Sequence, residues 1–126
     1  FWLNAERAAK KLRRGEVCEA KRRCDGVMKA RLLQMIEWHA RARHGWDYDT
    51  WHEGRFIETW ADPRALARLR AAYARYEAGD IARALLATMD LFRALALETA
   101  ARSISLESIR RNRASGVLWR NCRKAK

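Results

Sequence analysis

Six carboxylates and six aromatic rings fall inside one short window of an otherwise basic chain. Glu37, Asp47, Asp49, Glu53, Glu58 and Asp62 are opposed there only by Arg41, Arg43 and Arg55, so window 37–62 carries −3 while the 126-residue chain carries +12. Trp38, Trp46, Trp51 and Trp60, four of the six tryptophans, lie in the same window with Tyr48 and Phe56. Carboxylates beside aromatic faces suit a multiply charged cationic ligand, through charge-assisted hydrogen bonds and cation–π contact. The stretch 7–31 has the opposite balance, ten Lys or Arg against Glu16, Glu19 and Asp25. Such a face suits phosphate. One surface for phosphate beside another for a polycation is the pattern of a two-substrate site.

The elements that must position these residues are helices. Strand-type alternation is missing, one proline is present, and Ala, Arg, Leu and Glu dominate. The expected architecture is all-α, an antiparallel bundle of four to five helices followed by a basic, loosely ordered C-terminal tail. A first helix is expected over 4–14 behind an Asn4 cap. After Gly15 a long helix should run over 16–43, with Val17, Ala20, Cys24, Val27, Met28, Leu32 and Met35 as its buried stripe. Gly26 interrupts that stripe and suggests close helix contact. Trp38 near its end is expected to pack against the bundle. His44-Gly45 ends it, and 46–54 reads as a loop before a short helix over 55–60.

Asp62-Pro63 combines a capping carboxylate with proline at the first helical position, and so opens another helix. Leu66, Leu69, Tyr73 and Tyr76 are its expected inward face. Gly79-Asp80 marks a further boundary, and the last core helix is expected over 81–102. Ile81, Leu85, Thr88, Phe92, Leu95 and Thr99 form its inward side, with Met28, Met35 and Met89 also in the core. Residues 103–126 carry seven Lys or Arg against one Glu, half of the net charge. Ile104, Leu106, Ile109, Val117, Leu118 and Trp119 are scattered there without a period, consistent with a loose tail holding helical turns near 106–112.

A chain of 126 residues suits one domain. No long uncharged apolar run is present, and no charged-then-apolar leader precedes the first helix, so the expected setting is cytoplasmic. A start on Phe1 rather than Met suggests a piece of something longer. Cys18, Cys24 and Cys122 form no obvious disulfide framework and read as reduced thiols. His39, His44 and His52 lack the spacing of a helical metal pair.

The order of short blocks resembles a known family. Ala9-Lys10-Lys11-Leu12-Arg13-Arg14-Gly15-Glu16, then Leu32-Leu33-Gln34-Met35-Ile36-Glu37-Trp38, are similar to the C-terminal half of aminoglycoside 6-adenylyltransferases, the streptomycin adenylyltransferases. Phe1-Trp2-x-Asn4, Trp51-His52-Glu53-Gly54-Arg55-Phe56 and Asp90-Leu91-Phe92-Arg93 fit at compatible spacing, so the resemblance covers 1–102 and leaves 103–126 outside. It implies a two-domain enzyme that moves AMP from ATP to an aminoglycoside hydroxyl with release of pyrophosphate, using Mg. In such an enzyme the N-terminal nucleotidyltransferase domain carries a Gly-Ser loop and an Asp-x-Asp pair. The helical domain closes the cleft.

Carried over residue by residue, the resemblance places Lys10 and Arg14 at the nucleotide. Glu37, Asp49, Trp51 and Glu53 are the candidates for the cationic antibiotic. No catalytic residue and no metal ligand is assigned to this chain. Asp47-Tyr48-Asp49 has the spelling of a metal pair but lies in a loop with no preceding strand. Without a Gly-Ser loop or a strand-borne Asp-x-Asp, the chain alone is expected to be inactive. The rival readings are a basic nucleic-acid-binding module and a protein-interaction bundle. No DNA-reading motif supports the first.

Overall fold

Alanine- and leucine-rich segments punctuated by Gly15, Gly45 and Asp62-Pro63 fold into six α-helices in the computed structural model. It describes residues 1–114, with side chains to 111. Val117, Leu118, Trp119 and Cys122 lie outside the described residues. The helices are α1 (Trp2–Arg13), α2 (Val17–Lys21), α3 (Met28–His44), α4 (Ile57–Trp60), α5 (Pro63–Ala71) and α6 (Ala78–Ala114). Among the described residues there are no strands.

Several boundaries differ from expectation for physical reasons. α1 begins behind Phe1, whose carbonyl accepts from Asn4 N at 3.0 Å and Ala5 N at 3.2 Å. Asn4 is already helical, and its Oδ1 accepts instead from Arg23 at 3.3 Å. The expected long helix is three pieces, because Arg22–Val27 forms a π-helical turn between α2 and α3. A π turn inserts an extra residue and rotates the helix beyond it. Burial therefore passes through Ala20, Cys24, Met28 and Lys29, while Val27 is 47% exposed. Gly26 is exposed as well, and a Cβ there would meet nothing within 4 Å, so it marks no close helix contact.

Asp62 caps α5, its Oδ1 accepting from Arg64 N at 2.9 Å. α5 stops at Ala71, which leaves Tyr73 and Tyr76 exposed rather than inward. α6 starts at Ala78 with Gly79 inside its first turn. Asp80 Oδ2 accepts from Arg75 N at 2.6 Å and ties the preceding turn to the helix. Ile81, Leu85, Thr88, Leu95 and Thr99 are buried as expected, Phe92 and Met89 only partly. The helix continues unbroken through 102–103 to Ala114, so the helical turns expected near 106–112 are part of one continuous helix and residues 103–114 are not a loose tail.

Consecutive long elements run in opposite senses. Arg43 and Asp62, at one end of α3 and α5, form an ion pair, and Asp25 accepts from Ala74 N at the other end. Asp62 and Arg64 flank Glu98 while Ala72 O accepts from Thr88 Oγ1, so α5 also opposes α6. With α5 returning between them, α3 and α6 run in the same direction. Lys29 reaches Thr88 and His39 reaches Glu98, both at an offset of 59 residues. At that register His44, the last residue of α3, falls opposite Ser103. α6 beyond it outruns its partner, and Ile104 and Ile109 are 64% and 51% exposed.

Two apolar clusters fill the bundle. Leu32, Met35, Ile36, Ile57, Trp60, Leu69, Leu91 and Leu95 join α3, α4, α5 and α6. Ala5, Ala8, Ala20, Cys24, Met28, Ile81 and Leu85 seat α1 on the π turn and the start of α6. Phe1 adds a stacked contact with Phe92, centroids 3.9 Å apart. No helix of the described residues is long and apolar enough to cross a membrane.

Candidate functional site

The acidic aromatic window spans the end of α3, its connection to α4, α4 itself and the cap of α5. α3 ends where Gly45 takes φ 112°, a value open to glycine but strained for other residues. The loop is then pinned to α3 by Thr50, which is fully buried. Thr50 Oγ1 donates to Glu37 Oε1 at 2.9 Å and accepts from Arg41 Nη2 at 3.1 Å, while Arg41 Nη2 also meets Glu37 Oε1 at 3.0 Å. Glu37 is thus committed to a closed triangle that fixes the loop.

Above this anchor the remaining candidates face outward. Asp49 Oδ1 accepts from Trp51 N at 2.9 Å, an Asx turn that sets the direction of the next residues. Trp51, Glu53 and Phe56 all adopt left-handed backbone, with φ of 53°, 53° and 56°. For non-glycine residues this costs of order 1–3 kcal/mol each and persists only where surroundings enforce it. Here Trp60, itself buried, donates its indole N–H to Arg55 O at 2.9 Å. Phe56 O accepts from Thr59 Oγ1 at 2.7 Å. Asp49, Trp51 and Glu53 are exposed on this one loop, and Glu37 joins them only through Thr50. Trp38 is 41% exposed on α3, so it does not pack into the bundle.

The basic candidates gather at the other end of the sequence. Lys10, Arg13 and Arg14 line one surface depression of about 380 Å³. Lys10 Nζ pairs with Glu6 at 2.7 Å, and Arg14 Nη1 stands 4.0 Å from Glu16 Oε1. Lys11 turns aside to bridge Glu16 and Glu19. Lys10, Lys11 and Arg13 also sit in the last turn of α1, with Arg14 as its C-cap, where they complement the negative end of the helix dipole. A cluster of ammonium and guanidinium groups matches polyphosphate chemistry. By contrast, no group of three or more His, Cys, Asp or Glu among the described residues could hold a metal ion.

Two buried polar clusters are absent from the sequence reading. Lys29 is 2% exposed, and its ammonium donates to Cys24 O at 3.0 Å and Thr88 Oγ1 at 2.6 Å. Asp25 Oδ1 lies 3.7 Å away and the Tyr73 ring centroid 5.2 Å away. Burial pushes the Lys29 ammonium below its usual range, partly offset by Cys24 and Asp25, and pushes the Cys24 thiol up. His39, buried on the same helix, places Nε2 2.6 Å from Glu98 Oε2, and this contact holds the Glu98 carboxyl below its usual range. The helical spacing of His39 after Met35 and Ile36 is the signal that could have placed it inward. Lys29 has the same kind of spacing, three and seven residues before Leu32 and Ile36 on α3, and its charge is what kept it out of the expected core.

A model of the streptomycin adenylyltransferase family matches residues 1–109. No curated protein and no solved structure matches the chain. The helical architecture and the order of blocks agree with that match, and the chain belongs to the streptomycin adenylyltransferase family.

Proposed function

From that family membership we propose that the chain is the helical, substrate-holding domain of an ATP-dependent aminoglycoside nucleotidyltransferase. The observation that carries the proposal is the loop 45–56, where Asp49, Trp51 and Glu53 are presented to solvent on a backbone pinned by Glu37, Thr50 and Arg41. Exposed carboxylates and a rigid indole are the groups that hold a polycationic sugar. Lys10 and Arg14 would hold phosphate oxygens of ATP, with Arg13 beside them. ATP supplies the AMP group and the pyrophosphate leaving group. No group of three or more His, Cys, Asp or Glu gathers among the described residues, and on this reading metal and catalytic carboxylates belong to a nucleotidyltransferase domain with the Gly-Ser and Asp-x-Asp elements.

On this reading the residues of this chain bind, orient and neutralise charge, which is most of what phosphoryl-type transfer asks of a protein scaffold. They move no proton and form no covalent intermediate. The division of the chain at 102–103 is part of the proposal, with α6 residues beyond it serving the boundary of the domain.

The test is calorimetric titration of the chain with streptomycin, alongside an assay for AMP transfer from ATP. Binding weakened about fivefold or more by Trp51→Ala or Glu53→Gln is expected from the loss of one cation–π or charge-assisted contact. No transfer is expected from this chain alone. Turnover without another domain, or streptomycin binding indifferent to both substitutions, would overturn the proposal.

A further inference from the structure

Arg55 is held in an unusual way for an arginine in an acidic loop. Its guanidinium carbon lies 4.9 Å from the Phe56 ring centroid and 5.6 Å from that of Trp51. Those two rings stand nearly perpendicular, at 83°, with centroids 5.2 Å apart. They form two walls of a corner, and the guanidinium sits in it. Among the described residues the Arg55 side chain has no carboxylate within ion-pair distance, although exposed Asp49 and Glu53 are close in sequence. Its N–H donors are therefore left to solvent.

The backbone that carries the two walls is held in place. Trp51 and Phe56 sit on left-handed backbone, with Trp51 N tied to Asp49 and Phe56 O tied to Thr59. The Arg55 backbone is also anchored, through its carbonyl to buried Trp60 and its amide to His52 O at 3.0 Å. Displacing the Arg55 guanidinium breaks only its contacts with the two rings. A planar cation resting on two preset aromatic faces, with its donors unused, is the arrangement that a guanidinium ligand would adopt there. Arginine stacks on aromatic faces because its weakly hydrated plane fits them, whereas an ammonium fits as a point charge.

We infer that the Trp51–Phe56 corner is a guanidinium-selective subsite and that Arg55 is its internal occupant, a specificity-determining side chain that an incoming guanidinium must displace. This rests on the reading of the loop as facing the antibiotic. It adds the selection of guanidino over amino cations and a self-competition built into the sequence. Arg55 acts by occupancy and repulsion, and touches no reacting atom.

The probes are agmatine and its amine counterpart cadaverine, both dications, with streptomycin and the guanidine-free aminoglycoside kanamycin as the larger pair. Binding is followed by calorimetry and by the indole N–H resonance of Trp51, assigned through Trp51→Phe. Arg55→Ala should tighten agmatine by about two- to fivefold more than cadaverine, the range expected for an exposed cation–π contact. Arg55→Gln, which keeps side-chain length, should do the same, and Trp51→Ala in either background should abolish the difference. The thermal midpoint checks that each variant is folded.

An equal gain for both diamines would mean mere removal of a positive charge, and no gain would mean an empty role for the corner. Either result overturns the inference. Streptomycin bound equally by the parent and Arg55→Ala also overturns it, while leaving the antibiotic reading intact. A selective agmatine response with no streptomycin binding keeps the subsite and removes the antibiotic.

Discussion

Lys29 sets the terms at the residue scale. A buried ammonium is tolerated because Cys24 O, Thr88 Oγ1 and Asp25 surround it, and the first of these is available because the π turn frees a carbonyl from the usual helical pattern. Lys29→Ala should cost about 2–4 kcal/mol, since it leaves both a cavity and an unpaired carbonyl, whereas Lys29→Met should cost clearly less. Urea unfolding of the two variants measures the difference. The sign of the pH effect comes from the depressed ammonium. Between the folded value and the ordinary value of 10.5 the unfolded chain binds more protons, so stability rises with pH across that window. Lys29→Met should flatten this rise. Asp80 gives a rise of the same sign in the acid range. The side-chain bond from Arg83, then the backbone bond from Arg75, hold its carboxyl at about 2 instead of 3.8. The stabilisation is present above pH 3.8 and is lost as pH falls through about 2. Melting curves of the parent and Asp80→Asn should therefore converge toward pH 2, the folded value of that carboxyl.

At the element scale, two glycines with opposite demands make a paired test. Gly26 has ordinary backbone and open space, so Gly26→Ala should stabilise by about 0.4–1 kcal/mol through the unfolded chain. Gly45 has φ 112°, and a Cβ would stand 2.9 Å from Asp47 Oδ1. Gly45→Ala should destabilise by about 1–3 kcal/mol, and denaturant midpoints will rank the pair. The same elements explain what was legible. Asp62-Pro63 and His44-Gly45 announced their boundaries because capping chemistry is local. The π turn was not legible, since nothing in Arg22-Arg23-Cys24-Asp25-Gly26-Val27 signals an added residue, and the shift misplaced Val27. Tyr73 and Tyr76 kept helical spacing after α5 had ended, so periodicity alone put them inside. In the loop, Asp49, Trp51 and Glu53 stood out by composition. The closure of Glu37 onto Thr50 depends on the path of the chain from His44 to Thr50, which no spacing rule gives.

For the whole molecule, the register between α3 and α6 divides what is braced from what is not. Residues up to Ser103 have α3 beside them, whereas Ile104 and Ile109 are exposed and Leu106 lies with Trp46 along a surface cavity of about 370 Å³. A chain ending at Arg102 should keep the thermal midpoint of the parent within a few degrees, because both apolar clusters lie before that point. Loss of cooperative unfolding in that variant would show instead that α6 needs its distal end.

The shared direction of α3 and α6 also sets a timetable for synthesis. Each seam contact waits for a residue 59 positions later in the chain. At about 5–20 residues per second, α3 leaves the ribosome roughly 3–12 s before the strip that will shield Leu32, Ile36 and Lys29 exists. During that interval the nascent helix is an adhesive, half-finished surface, and Ile57 and Trp60 of α4 are the first later buried residues to join its apolar cluster.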